Sequence, residues 1–167
     1  MRGVVSNYVY FNFQSLNCDP SVPANDRMVV TGVRIIDDTG SGQEITGCPD
    51  LALIGLLEPF PYHFNTYWAG WRLTEDYRDL PSDLVTVIHH PFGDIKKVTE
   101  SETDKVFLEG DPECFRIKVT DGTFEGGSSG APAFDEDHFV IGVERSILAP
   151  TPSCDLEHVQ IGNLFFA

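Results

Sequence analysis

The sequence predicts an all-β protein, and three observations carry this prediction. Short runs rich in Val, Ile, Phe and Tyr recur along the chain and are bounded by Gly, Pro, Asp or Asn, as is typical of strands. No segment repeats its apolar residues at the helical spacing over several turns. The 15 Gly and 11 Pro make the chain rich in turns. Many short strands at even spacing indicate a barrel or a sandwich.

The expected strands are apolar or alternating runs that end at turn residues. They are residues 8–13, 28–36, 51–56, 84–89, 95–99, 105–109, 115–119, 138–144 and 159–165. Residues 58–78 are rich in aromatic side chains and broken by proline, which predicts a packed loop. The acidic residues 100–104 are expected to form a solvated turn, and the acidic residues before His138 a hairpin turn.

Length and charge limit the architecture and the partners. The 167 residues suffice for one domain with its own core. The 11 basic and 26 acidic residues give a net charge of −15, which repels nucleic acid and anionic membrane surfaces, so neither is expected as a partner. No apolar stretch reaches the roughly 18 residues that a membrane-spanning helix needs. A hydrophobic content of 41% is too high for a disordered chain.

The cysteines are spaced too widely for a zinc ribbon or a redox pair. They are Cys18, Cys48, Cys114 and Cys154. In a turn-rich β chain they favour disulfides and an oxidising compartment, and four buried thiols in a cytosolic protein are the alternative. No metal site or cofactor is expected, because the adjacent His89 and His90 would point to opposite faces of one strand.

Residues 126–132, Gly-Gly-Ser-Ser-Gly-Ala-Pro, carry the chemistry. Glycines on both sides of a hydroxyl residue permit a sharp turn and leave open space around that hydroxyl. The N–H groups of Gly127 and Ser129 can then face one hollow and stabilise the charge that develops on an attacked carbonyl. Ser129 is the candidate nucleophile, and it needs a base to take its proton. An ordinary Gly-Ser turn before a strand is the alternative.

This motif, extended to GGSSGAPAF, resembles the nucleophile motif of chymotrypsin-fold serine proteases. Three further segments resemble the lysyl-endopeptidase branch of that fold, in the same order. They are DLALIGL at 50–56, FNTYWAGW at 64–71 and IHHPFGDIKK at 88–97, and YFNFQ at 10–14, leading to Cys18, resembles a strand of that branch. The resemblance implies a chymotrypsin-like double β-barrel whose first barrel is incomplete. The single trypsin-like domain would span 1–167, with 1–57 a remnant of the first barrel and 58–167 the second.

The resemblance also implies residue roles. Ser129 would be the nucleophile of a serine endopeptidase, the N–H groups of Gly127 and Ser129 its oxyanion hole, and Asp50 the carboxylate that orients the general-base His. The substrate would be a polypeptide, and the enzyme a secreted monomer without cofactor. In the family, the counterparts of Cys18 and Cys154 pair with cysteines of the upstream segment. Cys48 and Cys114 match no family cysteine, and a bond between them is one possible pairing that the sequence leaves open.

One part of the family pattern has no match. The general base belongs to an Ala-His-Cys segment upstream of the strand that ends at Cys18, and this chain has no such segment. We therefore expect a truncated protease chain that is inactive alone. The alternative is a non-catalytic homologue that acts as a binding or regulatory module.

Substrate preference is left open by the sequence. The specificity carboxylate of the lysine-specific branch would fall on or near Val159, and Asp155 and Glu157 lie close enough in sequence to replace it. Arg145 stands where the substrate backbone would pass. Arg145 together with His158 would instead favour an acidic side chain at P1, the residue before the cleaved bond.

Overall fold

The computed structural model describes residues 4–15, 28–38, 51–74, 79–108, 111–147 and 158–163. Within these ranges the chain forms strands and two short 3-10 turns, at Tyr62–Phe64 and Pro91–Gly93. The strands are β1 (Val4–Phe11), β2 (Met28–Asp38), β3 (Ala52–Leu56), β4 (Leu84–His89), β5 (Lys97–Leu108), β6 (Asp111–Asp121), β7 (Pro132–Phe134), β8 (Val140–Ile147) and β9 (His158–Asn163). The all-β prediction is confirmed.

Strands β4 to β9 close into a barrel in the order β4-β5-β6-β9-β8-β7. Alternation along each strand builds its interior, because successive side chains point to opposite faces. On β4, Val85 and Val87 are fully buried, and the next inward position is His89. The core cluster consists of Val85, Val87, Phe115, Ile117, Phe124, Ala133, Ile141, Val159 and Ile161. The apolar period-2 pattern that predicts these strands therefore also marks the core.

Strands β1 to β3 form a separate three-stranded antiparallel sheet in the order β1-β2-β3. Val30 and Val33 of β2 are buried beneath it. Much of its surface is nevertheless open, since Tyr8 and Tyr10 of β1 and Leu53 of β3 are all more than half exposed. The sheet thus buries far less apolar surface per strand than the barrel.

Aromatic contacts join the sheet to the chain that follows it. The ring of Phe64, which is buried, lies 5.3 Å from that of Phe11, and Phe60 lies 5.5 Å from Trp68. The expected loop is present over its described part, 58–74, but it is not packed as expected, because only Phe64 is buried there and Tyr62 and Tyr67 are each 96% exposed. After β1, Phe13 stacks on His90 with ring centroids 5.5 Å apart, which ties the sheet to the barrel at the end of β4.

Two sequence-based expectations are wrong. The acidic residues 100–104 do not form a turn, because β5 runs without a break through both strands predicted at 95–99 and 105–109. Ser101 and Thr103 point inward and are buried while Glu100 and Glu102 face solvent. Strand β7 was not predicted either, since it has three residues and begins at a proline. The hairpin turn before His138 is confirmed.

Three further expectations concern cysteines, membranes and metals. Cys114 is buried on β6, and the other three cysteines lie outside the described residues, so their pairing stays a prediction. No helix in the described ranges combines the length and the apolarity that a bilayer crossing requires. Among the same residues, no group of three or more His, Cys, Asp or Glu side chains is placed to hold a metal ion.

Candidate active site

The Gly-Gly-Ser-Ser-Gly turn connects the end of β6 to β7, and its backbone is tightly held. Gly127 has φ +93°, a conformation that side chains disfavour, and a Cβ there would stand 3.3 Å from both the carbonyl oxygen of His90 and the amide nitrogen of Phe92. The N–H of Phe92 donates to the carbonyl of Gly126 at 2.6 Å. The 3-10 turn after β4 therefore packs directly against the turn that carries Ser129.

Ser129 is exposed at the tip of this turn, and its hydroxyl donates to the carbonyl of Arg145 on β8 at 3.1 Å. The turn is also fixed to β8 by two backbone bonds, from Gly130 N–H to the carbonyl of Glu144 and from Glu144 N–H to that of Ala131. The candidate nucleophile is thus presented to solvent on a rigid support.

The amides of this turn divide into two groups. The N–H groups of Ser128, Gly130 and Ala131 all donate to backbone carbonyls. Those of Gly126, Gly127 and Ser129 donate to no group among the described residues. The amides of Gly127 and Ser129, on either side of Ser128, are the two that the sequence analysis selected as oxyanion-hole donors, and both are free for that role in the described part of the chain.

A buried polar chain lies beneath the turn. His89 and Ser128 are each 1% exposed, and Nδ1 of His89 lies 2.7 Å from the Ser128 hydroxyl. On the other side of the ring, Nε2 lies 2.9 Å from the hydroxyl of Thr99 on β5. The ring also packs against Phe124 at 4.9 Å. Burial, and secondarily the charge of His90, lower the pKa of His89 from its usual 6.5.

Sequence reasoning treated His89 as a surface or packing residue and gave Ser128 no role. A signal was nevertheless present, because the strand alternation that places Val85 and Val87 inward places His89 inward too. A buried imidazole needs partners, and small hydroxyl residues are suitable ones. His90 diverges from His89 as predicted, for it stacks on Phe13 and its Nδ1 lies 2.9 Å from the carbonyl of Asp94.

Glu144 places a buried carboxyl group behind Ser129. It is 1% exposed, and neither carboxyl oxygen has a hydrogen-bond partner among the described residues. Burial raises the pKa of Glu144 to about 7, and the nearby Ser129 hydroxyl opposes this shift only in part. Since the Ser129 proton is directed to the Arg145 carbonyl, we regard the two side chains as neighbours rather than as bonded partners. The sequence analysis did not select Glu144.

The remaining predicted site residues are placed as follows. Asp50, Asp155 and Glu157 lie outside the described residues, so the distance from Asp50 to Ser129 stays untested. For His158 the structure describes the backbone at the start of β9. Arg145 follows Glu144 on β8 and is half-buried. Val159 is fully buried and belongs to the barrel core. The structure thus brings Gly127, Ser129 and Arg145 together.

The hairpin that follows the motif is held by a charged clamp. Nε of Arg72 donates to Asp135 at 2.6 Å and its Nη2 to Asp137 at 2.8 Å. The other Asp135 oxygen accepts from the N–H groups of Asp137 and Phe139. Arg72 also lies over the ring of Phe139, 5.0 Å from its centroid. These contacts fix the turn between β7 and β8, the two strands that follow Ser129 in sequence.

The family model described as lysyl endopeptidase, C-terminal domain, matches residues 3–145. The chain belongs to this family. Its relationship to trypsin-like serine proteases, expected from the four sequence segments, is therefore supported over most of its length.

Solved structures extend the comparison to the fold. The crystal structure of Rv3671c from M. tuberculosis H37Rv, a serine-to-alanine mutant in its inactive form, matches with a TM-score of 0.52 at 15% sequence identity. The match covers 82% of this chain and 61% of that one, so this chain spans less than two thirds of its length. At this identity the likeness shows the fold alone, which is all-β and chymotrypsin-like as predicted. No curated protein matches the chain.

Proposed function

We propose that this chain carries the nucleophile, the oxyanion hole and the second barrel of a serine endopeptidase. The observation that carries the proposal is the pair of amides at Gly127 and Ser129, which donate to no group among the described residues and lie on either side of Ser128, next to the exposed hydroxyl of Ser129. Membership of the lysyl endopeptidase family supports it independently.

The proposed reaction is acyl transfer in two halves. Oγ of Ser129 attacks the carbonyl carbon of the scissile peptide while its proton passes to an imidazole, and the oxyanion accepts from the amides of Gly127 and Ser129. The C–N bond breaks as the imidazolium protonates the leaving amine. Water then attacks the acyl-enzyme and regenerates Ser129. Asp50 is the proposed partner that orients the imidazole.

Among the described residues, no imidazole is placed to serve Ser129 as general base, and Asp50 lies outside them. His89 faces the same turn, but its Nδ1 is engaged by Ser128. The proposal therefore assigns the general base to an imidazole outside the described residues, such as that of an Ala-His-Cys segment in an upstream-extended form of the protein. We expect the 167-residue chain alone to be inactive, because removing the base typically costs several orders of magnitude in rate.

A serine-directed fluorophosphonate tests the proposal. The upstream-extended protein is expected to be labelled at Ser129, and labelling should disappear in Ser129→Ala while it persists in Ser82→Ala. The 167-residue chain should label at background rate. Absence of labelling in an extended, folded protein would reject the protease function, and peptide binding without labelling would favour the non-catalytic homologue instead.

We further propose a lysine-type preference at P1, carried by Glu144. A buried carboxyl group without a partner in the described ranges, next to the nucleophile, suits a cationic side chain that would supply the missing hydrogen-bond donors. The same group repels an acidic P1 residue, so the alternative based on Arg145 and His158 is disfavoured. The family description agrees with lysine.

Peptides that differ only at P1 distinguish these preferences. The extended protein is expected to cleave after Lys in preference to Glu, and Glu144→Gln should lower kcat/KM for the Lys peptide by about tenfold or more, the loss of a charge-assisted bond. Glu102→Gln, on the exposed face of β5, is the matched control. Unchanged selectivity in Glu144→Gln would reject the role of Glu144, and preferred cleavage after Glu would restore the acidic alternative.

A further inference from the structure

The hydrogen bonds of the buried polar network beneath Ser129 each have a definite donor and acceptor. The hydroxyl of Thr99 has a single proton, which it donates to the carbonyl of Thr123 at 3.1 Å. Toward His89, Thr99 can therefore only accept, so the ring proton sits on Nε2. Nδ1 is then the acceptor for the Ser128 hydroxyl. These assignments follow from the neighbours rather than from observed hydrogens.

Ser128 completes the chain at the functional end. Its oxygen accepts from the N–H of Glu125 at 3.2 Å while its proton goes to His89. Each donor and acceptor along the path from Thr123 to Glu125 is thus used once. The peptide group between Ser128 and Ser129 carries the N–H of Ser129, and the N–H of Gly127 lies in the same turn, in the peptide group between Gly126 and Gly127. The bond from Ser128 to His89 therefore holds the segment that connects these two amides.

Protonation of the neutral His89 ring is incompatible with these donor and acceptor assignments. Both ring nitrogens would become donors, and the Ser128 hydroxyl would lose the acceptor of its proton. The described residues that contact the His89 ring, Thr99 on β5 and Phe124 and Ser128 in the turn, are uncharged. The titratable group acting on His89 is its neighbour His90, whose charge opposes protonation.

We propose that neutral His89 is a positioning residue that holds the oxyanion hole through Ser128, and that its protonation releases the turn. The role in catalysis rests on the proposed protease function, whereas the coupling between ring and turn does not. The inference deepens that function, since it makes the oxyanion hole responsive to acid independently of the general base.

The coupling is testable on the 167-residue chain by NMR. In protein labelled with ¹⁵N, His89 is expected to be the Nε2–H tautomer at pH 7.5 and to titrate below 6.5. The amide resonances of Gly127 and Ser129 should shift with the same midpoint. An Nδ1–H tautomer, or a His89 titration that leaves both amides unmoved, would overturn the proposal.

Three variants separate positioning from general stability. His89→Gln provides a donor and an acceptor without a titrating charge, so it should keep the neutral-pH positions of both amides and abolish their acid shift. Ser128→Ala should displace both amides at every pH. His138→Gln, in the exposed β7–β8 turn, is the matched control and should behave like the parent chain. Should His89→Gln fail to fold, Ser128→Ala decides the matter, and unmoved amides in that variant contradict the proposal.

A functional measurement uses the upstream-extended protein. Labelling of Ser129 by the fluorophosphonate should be about tenfold slower in Ser128→Ala at pH 7.5, since a misplaced oxyanion donor weakens transition-state stabilisation. Between pH 7.5 and 5 the parent should lose more labelling than His89→Gln. Identical pH profiles would overturn the positioning role. If no form is labelled, the protease function is rejected, and the NMR titration alone decides the coupling.

Discussion

Gly127 occupies a backbone conformation that other residues adopt only at a cost, and a side chain there would press against neighbouring backbone. Its φ is +93°, and a Cβ would approach backbone atoms of His90 and Phe92 to 3.3 Å. We expect Gly127→Ala to lower the free energy of unfolding by about 1–3 kcal/mol. Gly126→Ala is the matched control, because a Cβ there meets only the Phe92 ring at an ordinary 3.6 Å.

Urea unfolding of the two variants beside the parent chain measures the difference. Equal midpoints for Gly127→Ala and Gly126→Ala would mean that the turn relaxes freely, and that the close packing against residues 90–92 does not hold Gly127 in place.

The sequence located the residues of the turn but not their support. Ser129 and Gly127 stand out because glycines beside a hydroxyl residue have a recognisable local pattern. His89 does not, because its role depends on Ser128 and Thr99, which are 39 and 10 residues away in sequence. Contacts across a barrel leave no local pattern. The inward position of His89 was predictable from alternation, but its partners were not.

The buried carboxyl group of Glu144 makes stability depend on pH in a defined direction. Its pKa rises from 4.5 to about 7 on folding, so between these values the folded chain holds the proton that the unfolded chain releases. The free energy of unfolding therefore falls as the pH rises through this interval. Glu144→Gln is expected to remove that loss and to stabilise the chain above pH 7 by at most about 3 kcal/mol.

Parallel urea titrations at pH 5, 6, 7 and 8 check this expectation, with Glu102→Gln as the exposed control. The difference between Glu144→Gln and the parent should grow with pH, and a constant difference would show that Glu144 is not a buried acid. If Glu144→Gln both stabilises the chain above pH 7 and lowers cleavage after Lys, the carboxyl group of Glu144 serves substrate binding at the expense of stability.

At the scale of elements, ion pairs from Arg72 to Asp135 and Asp137 hold the turn of the β7–β8 hairpin. Asp135 is 2% exposed and satisfies Arg72 and two backbone N–H groups at once, whereas Asp137 is exposed. We expect Asp135→Ala to destabilise the chain by about 3 kcal/mol, because it leaves buried donors without an acceptor. Asp137→Ala should cost less than about 1 kcal/mol.

Thermal and urea unfolding of the two aspartate variants give this comparison directly. Asp135 has no hydrogen bond to His89 or Ser128 among the described residues, so the tautomer of His89 should stay unchanged in Asp135→Ala. Equal losses for the two variants would show that the bond to the partly exposed Arg72 contributes little.

Strands were predictable where their inward residues are apolar. The run that forms β4 has apolar inward residues and was found with the observed boundaries. The middle of β5 places Ser101 and Thr103 inward instead, and Thr103 bonds through its N–H and its hydroxyl to Asp83. With hydroxyl residues on one face and acids on the other, the hydrophobic alternation vanishes and the segment looks like a turn. Tertiary hydrogen bonds, which the sequence does not display, decided this element.

At the scale of the whole molecule, the two sheets differ in how completely they are enclosed. The six barrel strands pair on both sides, and their core residues, such as Val87 and Ile117, are fully buried. In the sheet β1-β2-β3, by contrast, Leu53 and Ile54 of β3 are 60% and 49% exposed. The division of the chain near residue 57 into a remnant of a first barrel and a second barrel stays a prediction.

Native-state hydrogen exchange tests whether the sheet and the barrel unfold together. Opening the sheet β1-β2-β3 exposes little new apolar surface. Its backbone amides are therefore expected to exchange through local openings of low free energy, whereas the barrel amides are expected to exchange only when the whole protein unfolds. Peptides from β2 should therefore lose protection at least about tenfold faster than peptides from β6 at the same pH, after correction for intrinsic exchange rates. Raising urea should bring barrel exchange closer to that of the sheet, because only global unfolding exposes enough surface to respond strongly. Equal protection in β2 and β6 without urea would instead mean that sheet and barrel form one cooperative unit, held together by contacts such as the stacking of Phe13 on His90.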